Sequence, residues 1–378
     1  MSTSSAARWR SNPSRLLASA AVAALAGFLC APPSGRPALA QSAPAPPTGT
    51  SKTTCATCHL GVATSYSHAP MRHAMEPTGA NPLLDTHPSL TTQIGHYSYS
   101  VQTKDGKSTY SVTDGSDSMT LPIRWIFGIH SQTWVLEKDG HLYESFVSYF
   151  PRDNGLGITP GDTKLTPTNL TEAMGRKIST WETLQCFTCH ASGAVSGVKL
   201  TLDTLRPGLD CERCHEGANQ HMADAQHDNF STLPKSLKKM TSEDVSNFCG
   251  QCHRTWDTVM RNHWKGPAFV RFQPYRLESS KCFIGTDPRI SCLACHNPHE
   301  QLKHDTAFYD SKCLACHGQT KPAASTTATT AATQYKACPV AKANCTSCHM
   351  PKVELPGGHA PFTDHWIRIT HPGDPYPG

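Results

Sequence analysis

Cys211-Glu212-Arg213-Cys214-His215 is one of seven copies of a single five-residue phrase. Two cysteines stand three positions apart, and a histidine follows the second at once. The other copies are Cys55 and Cys58 with His59, Cys186 and Cys189 with His190, and Cys249 and Cys252 with His253. Cys292 and Cys295 with His296, Cys313 and Cys316 with His317, and Cys345 and Cys348 with His349 complete the set. The seven copies use 14 of 17 cysteines. Random order at this composition would give about 0.04 copies. Cys-x-x-Cys-His is the attachment phrase of c-type haem. The thiols add across the two vinyl groups, whose separation one helical turn matches, and the histidine becomes the proximal axial ligand of the iron. The sequence therefore predicts seven covalently bound haem c groups.

Plainer readings of Cys-x-x-Cys account for less. A thioredoxin-like redox pair occurs once, near a βαβ pattern. Zinc knuckles need no histidine directly after each second cysteine. A disulfide scaffold does not repeat one fixed spacing.

Residues 1–40 read as a secretory signal. Arg8, Arg10 and Arg15 precede an apolar run over 16–29, and Ala38-Leu39-Ala40 has the form of a cleavage site. The run is shorter than the about 20 residues of a membrane span, so membrane contact is expected by association only. Haem c is attached outside the cytoplasmic membrane, which agrees with export to the periplasm or cell exterior of a bacterium. Loss of the signal removes four arginines and no acid, so the net charge falls from +5 to +1. No basic run or basic-aromatic stripe points to nucleic acid. Only 38% of residues are apolar. Such a chain buries a modest core, and haem would supply the missing apolar mass, so cofactor binding becomes folding free energy.

A Pro-rich linker over 41–53 follows the signal. The first phrase and a β-rich insert then occupy 54–180, and a six-haem region fills 181–378. Between His59 and Cys186 lie 126 residues without a motif. There Tyr97, Tyr99 and Val101 alternate with polar residues, and so do Tyr110 and Val112. Asp105-Gly106 and Asp139-Gly140 separate alternating runs, a hairpin signal. A small antiparallel sheet of four or five strands is expected. Beyond Thr180 the gaps between motifs are 20, 33, 38, 16 and 27 residues. That crowding leaves no room for a separate domain per haem. Short helices are expected before Cys186 and from Ser242 to Trp256, and 321–336 is low-complexity.

Fourteen histidines remain outside the motifs, enough for a second imidazole on every iron. Context selects His68, His130, His221, His299, His359 and His365 as candidate distal ligands, with His263 a weaker seventh. A histidine too close to its own motif cannot cross to the opposite face, so several should serve a different haem. Met71 and Met75 read as packing residues rather than ligands. Cys282 and Cys338 belong to no motif, and in an oxidising compartment two spare thiols pair. A Cys282–Cys338 disulfide is therefore expected, against the alternative of two free thiols.

Several phrases, taken in order, resemble the multihaem cytochromes of the cytochrome c-552/c-554 type. They are Cys211-Glu212-Arg213-Cys214-His215-Glu216-Gly217, Cys249-Gly250-Gln251-Cys252-His253, Asn297-Pro298-His299 after the fifth motif, and Met350-Pro351 then Thr363-Asp364-His365 after the seventh. The similarity covers most of residues 54–370, and no tetratricopeptide repeat accompanies it. The resemblance implies an exported electron-transfer protein with closely packed haem pairs, some stacked parallel and some edge to face. The expected fold is mostly irregular, with short α-helices wrapped around stacked c-type haems and a small antiparallel β-sheet insert after the first haem, an α+β, cofactor-dominated architecture.

Three functions follow. The first is a conduit passing electrons between other redox proteins, with axial ligation, burial and nearby charge as the protein's levers. The second is a reductase of nitrite, hydroxylamine or a sulfur oxyanion, which needs one iron with an open distal side; the second and fourth motifs are the candidates. The third is a subunit of an extracellular filament. The ample supply of histidine and the fold-level analogy favour the conduit, and with it no catalytic residue, over an enzyme.

Overall fold

The computed structural model describes residues 55–129, 131–318, 337–371 and 373–377. The expected signal, the linker, His130 and the low-complexity 321–336 lie outside the described residues. All described residues belong to one compact unit, Pro46–Gly378.

The alternating runs form strands β1 Met75–Glu76, β2 Ser89–Ile94, β3 Tyr97–Lys104, β4 Lys107–Thr113, β5 Ser118–Phe127, β6 Thr133–Lys138 and β7 His141–Ser145. β8 Val147–Phe150, β9 Gly155–Ile158 and β10 Gly175–Lys177 follow. One antiparallel sheet of eight strands runs β10-β7-β6-β5-β4-β3-β2, with β1 also on β5. Asp105 and Gly106 turn β3 into β4, and Asp139 and Gly140 turn β6 into β7. All four have positive φ, 51° and 70° in the first turn and 51° and 72° in the second, as a two-residue hairpin turn matched to strand twist requires. The sheet is larger than the four or five strands expected. β1 and β10 are two and three residues long, too short for any alternation to show. One face of the sheet buries Tyr99, Val101, Tyr110, Trp134 and Phe146 in a single apolar cluster.

The helices are short. α1 spans Leu60–Tyr66, α2 Pro82–Thr86, α3 Leu170–Met174, α4 Thr180–His190, α5 Ala218–Ala225 and α6 Ser242–His253. α7 spans Trp256–Arg261, α8 Gln273–Glu278, α9 Cys292–Cys295, α10 Thr306–His317 and α11 Cys345–His349. Ser179 and Glu182 close a reciprocal capping box at the start of α4, satisfying donors that helix N-termini leave orphaned. The helix expected from Ser242 to Trp256 is two helices. Arg254 takes φ 69°, and Thr255 caps α7 by accepting from the Thr258 N–H at 3.0 Å.

Apolar burial is uneven. Beyond Leu209 the buried apolar residues among those described are Ala218, Val245, Val259, Phe269, Val270 and Leu277. No described helix is long and apolar enough to cross a membrane.

Candidate haem sites

The sparse core of the C-terminal half, together with residues of the first motif's segment, borders a hollow of about 4110 Å³. A single small ligand occupies about 300–1,000 Å³, so the hollow is sized for several groups. All fourteen motif cysteines and all seven motif histidines line it. Thiols paired at one-turn spacing around a large, mainly carbon-lined space suit covalently held haem.

Neighbouring thiols give the order of the motifs in space. Cys55 interacts with Cys211, joining the first motif to the third. Cys214 faces Cys249 and Cys252, joining third to fourth. Cys249 interacts with Cys292, Cys295 with Cys313, and Cys313 with Cys345, continuing through fifth, sixth and seventh. Cys189 interacts with Cys252, so the second motif branches from the fourth. The helices show why: α4 packs on α6, α6 on α9, α9 on α10 and α10 on α11.

The first motif is remote in sequence but not in space. Tyr66 Oη donates to the Leu209 carbonyl at 2.8 Å, the Leu209 N–H to the Met71 carbonyl at 3.1 Å, and Arg72 Nη1 to the Pro207 carbonyl at 2.7 Å. These bonds place the approach to the third motif against the segment that follows the first. The 126-residue gap folds back instead of separating them.

Among the described residues three pairs of imidazoles face one another. His59 and His221 have ring centroids 6.4 Å apart, His215 and His299 5.9 Å, and His296 and His365 6.2 Å. Imidazole nitrogen binds a first-row metal at about 2 Å, so two rings on opposite sides of one metal place their centroids about 6.3 Å apart. The spacing suits two axial histidines on one iron. Each pair joins a motif histidine to one that trails a later motif: third to first, fifth to third, seventh to fifth.

Second nitrogens are committed in the way ligands require. The Nδ1 of His221 bonds the Thr232 carbonyl at 2.6 Å, that of His365 the Thr363 carbonyl at 3.0 Å, and that of His215 the Lys235 carbonyl at 3.1 Å. His190 and His349 make the same bond to Ala74 at 2.7 Å and Arg368 at 3.0 Å. Such bonds fix the tautomer and ring direction of a metal-binding histidine. His73 and His87 instead engage both ring nitrogens within the protein. Burial lowers the pKa of His190, His253, His296 and His299, and brings His365 down to about 4. It therefore favours neutral imidazole, the metal-binding form.

The remaining candidates are placed elsewhere. His68 is exposed beside residues 300–304, at the margin of the main hollow and not among its lining residues. His263 is exposed with φ 49°. His359 stacks on Phe150 with centroids 3.8 Å apart, and its Nδ1 meets Asp153 at 2.5 Å. None of these three faces a motif imidazole. His304 and His371, outside the set of candidate distal ligands, do line the hollow. Met75 is buried in a second apolar cluster, with Trp125, Val135 and Phe187.

Cys282 and Cys338 are both free thiols, so the expected bridge is not formed. Cys282 is turned toward Cys313 and Cys316, while Cys338 is exposed and held by the backbone of Val340 and Ala341.

Some residues that build these sites carried no sequence signal. Phe187, inside the second motif, is 1% exposed and meets Trp125 and Phe127 edge-on at 5.1 and 5.5 Å. It fastens that motif to the sheet. Asp310 on α10 accepts from the N–H groups of Asn344 and Cys345 at 2.7 and 2.8 Å, locking the sixth motif's helix to the start of α11. Arg276, Asp364 and Arg368 form a buried ion cluster behind His365; only the phrase around Asp364 stood out.

The family model for cytochrome c3 matches residues 285–354, the span that holds the fifth, sixth and seventh motifs. That match supports, at the level of class, a multihaem c-type cytochrome, an electron-transfer protein with covalently bound haem c. The matched span is less than a fifth of the chain. No curated protein and no solved structure matches this chain.

Proposed function

We propose that this chain is an exported heptahaem c-type cytochrome, of the c-552/c-554 type, that passes electrons between other redox proteins through closely packed haems. The observation that carries the proposal is the unbroken run of motif neighbours, first to third, fourth, fifth, sixth and seventh, with the second as a branch. Bound haem supplies reversible one-electron chemistry at iron, tuned by its axial ligands and surroundings. In this proposal the paired cysteines hold each group. His59, His190, His215, His253, His296, His317 and His349 are proximal ligands, and His221, His299 and His365 are distal ligands of the first, third and fifth sites. Carbonyl groups at residues 74, 232, 235, 363 and 368 keep the imidazoles oriented. The sheet segment, 54–180, carries the first site, and the short helices of 181–378 wrap the other six. Function is placed in the periplasm or cell exterior, with membranes reached by association.

Intact mass of the secreted protein tests the haem count, with seven haem c additions expected on a chain cleaved after Ala40. Electron paramagnetic resonance of the oxidised protein tests the ligands, and signals from bis-imidazole low-spin iron are expected. Fewer than seven haems would overturn the count, and a mainly high-spin protein would overturn the conduit.

A second reading, a reductase, has one observation in its favour. Among the described residues the His253 ring contacts no other imidazole, although His190 lies near enough to act on its charge, and Gln273 lies against it. Arg254, Lys265 and Arg271 line the same hollow, cations that suit an oxyanion. One high-spin iron in seven that shifts on adding nitrite, hydroxylamine or sulfite would establish this reading over the conduit. An all-low-spin protein would exclude it.

A further inference from the structure

His365 sits in an irregular stretch that begins where the short strand Pro361–Thr363 ends, so no β-ladder holds its register. Its neighbour Asp364 is fully buried. The carboxylate takes four donors: Arg276 Nε at 2.8 Å and the Trp366 N–H at 3.0 Å on Oδ1, and Arg276 Nη2 at 2.8 Å and Arg368 Nη1 at 2.6 Å on Oδ2. Arg276 is itself 2% exposed. Its guanidinium lies over Trp366 at 4.9 Å and Tyr376 at 4.7 Å, and its Nη1 donates to the Pro377 carbonyl at 2.9 Å. A planar fork matched to a carboxylate fixes direction as well as distance.

Two further bonds carry the placement outward. Arg368 accepts from His349 Nδ1 at 3.0 Å and donates its N–H to the His349 carbonyl at 3.1 Å. Arg276 stands on α8, which packs on α6, the helix of the fourth motif. One ion cluster thus touches segments belonging to the fourth, fifth and seventh sites.

We propose that Asp364, clamped between Arg276 and Arg368, is a positioning residue that holds His365 opposite His296 and steadies the ring of His349. The inference rests on the reading that His296 and His365 bind one iron from opposite faces. A carboxylate that merely stabilised the fold would cost stability on removal but leave every iron's ligands in place.

The test uses the full-length holoprotein, oxidised at pH 7, with spin state read by electron paramagnetic resonance and haem count by mass. His365→Ala is the reference variant. It should retain seven haems and show one further high-spin iron relative to wild type, restored to low spin by added imidazole. If it shows no such iron, the ligand reading itself fails. Asp364→Asn keeps the side chain's shape and removes its charge. A further high-spin population of up to one iron in seven, reversed by imidazole, is expected with all haems retained. A wild-type spin state in Asp364→Asn, alongside the change in His365→Ala, would overturn the positioning role while leaving the ligand reading intact. Should Asp364→Asn not accumulate, Arg368→Gln decides by the same readout. It removes one of the four donors and leaves the Arg276 pair.

Discussion

Glu182 shows how a single residue secures the start of the helix that carries the second motif. Its carboxylate is brought down to about 2 from an ordinary 4.5, first by the Ser179 backbone N–H, then by the Ser179 hydroxyl and Arg176. A carboxylate depressed on folding adds stability above its unfolded pKa and loses it as pH falls through the folded one. The stability difference between wild type and Glu182→Gln is therefore expected at pH 7 and should vanish between about pH 4.5 and pH 2. Chemical denaturation at a series of pH values checks it; a difference constant with pH would refute the linkage. Phe187 acts through packing. Phe187→Ala is expected to cost about 3–5 kcal/mol, as for other buried aromatic truncations, measured by urea unfolding of the holoprotein. No signal in the sequence marks Phe187, because the two positions between motif cysteines are free of any requirement from the haem.

At the scale of elements, the seam between the first and third motifs depends on one close backbone approach. Gly208 has φ 73°, and a Cβ there would lie 1.8 Å from the Arg72 carbonyl oxygen. Gly208→Ala is expected to lower stability by about 1–3 kcal/mol, the usual range for overpacking, on top of the strain of its backbone. Gly197 also has positive φ, 61°, but nothing within 4 Å, so Gly197→Ala should be the milder change. Equal melting temperatures for the two variants would show that the seam yields. The hairpins of the sheet were legible, since alternation and Asp-Gly turns are local. The seam was not. A glycine in an irregular stretch does not say what it approaches.

At the scale of the whole molecule, the chain has two kinds of interior. The sheet buries a conventional apolar cluster over residues 84–174. The C-terminal half, with the first motif's segment, instead lines a hollow of about 4110 Å³. Chain produced without haem attachment is therefore expected to keep a protease-resistant core over the sheet and to be cut readily beyond residue 210. Limited proteolysis with mass analysis checks this, and equal resistance in both halves would refute it. Holoprotein should resist throughout, because a group that binds only the folded state stabilises it.

The sequence by itself determined where the proposed attachment thiols and proximal histidines stand. Two thiols and a histidine within five residues are placed by one turn of backbone, and distant chain cannot change that spacing. It also determined the hairpins, for the same local reason. Only the tertiary structure decided which histidines face each other, that the first motif lies against the third, and that Asp364 stands clamped behind His365. A distal imidazole must come from whatever segment crosses the far side of the hollow. His221, His299 and His365 each reach back to an earlier motif, while His68 and His359, chosen on equally good local context, do not. Crossing the hollow is set by long-range packing, which leaves no mark within a few residues of the histidine.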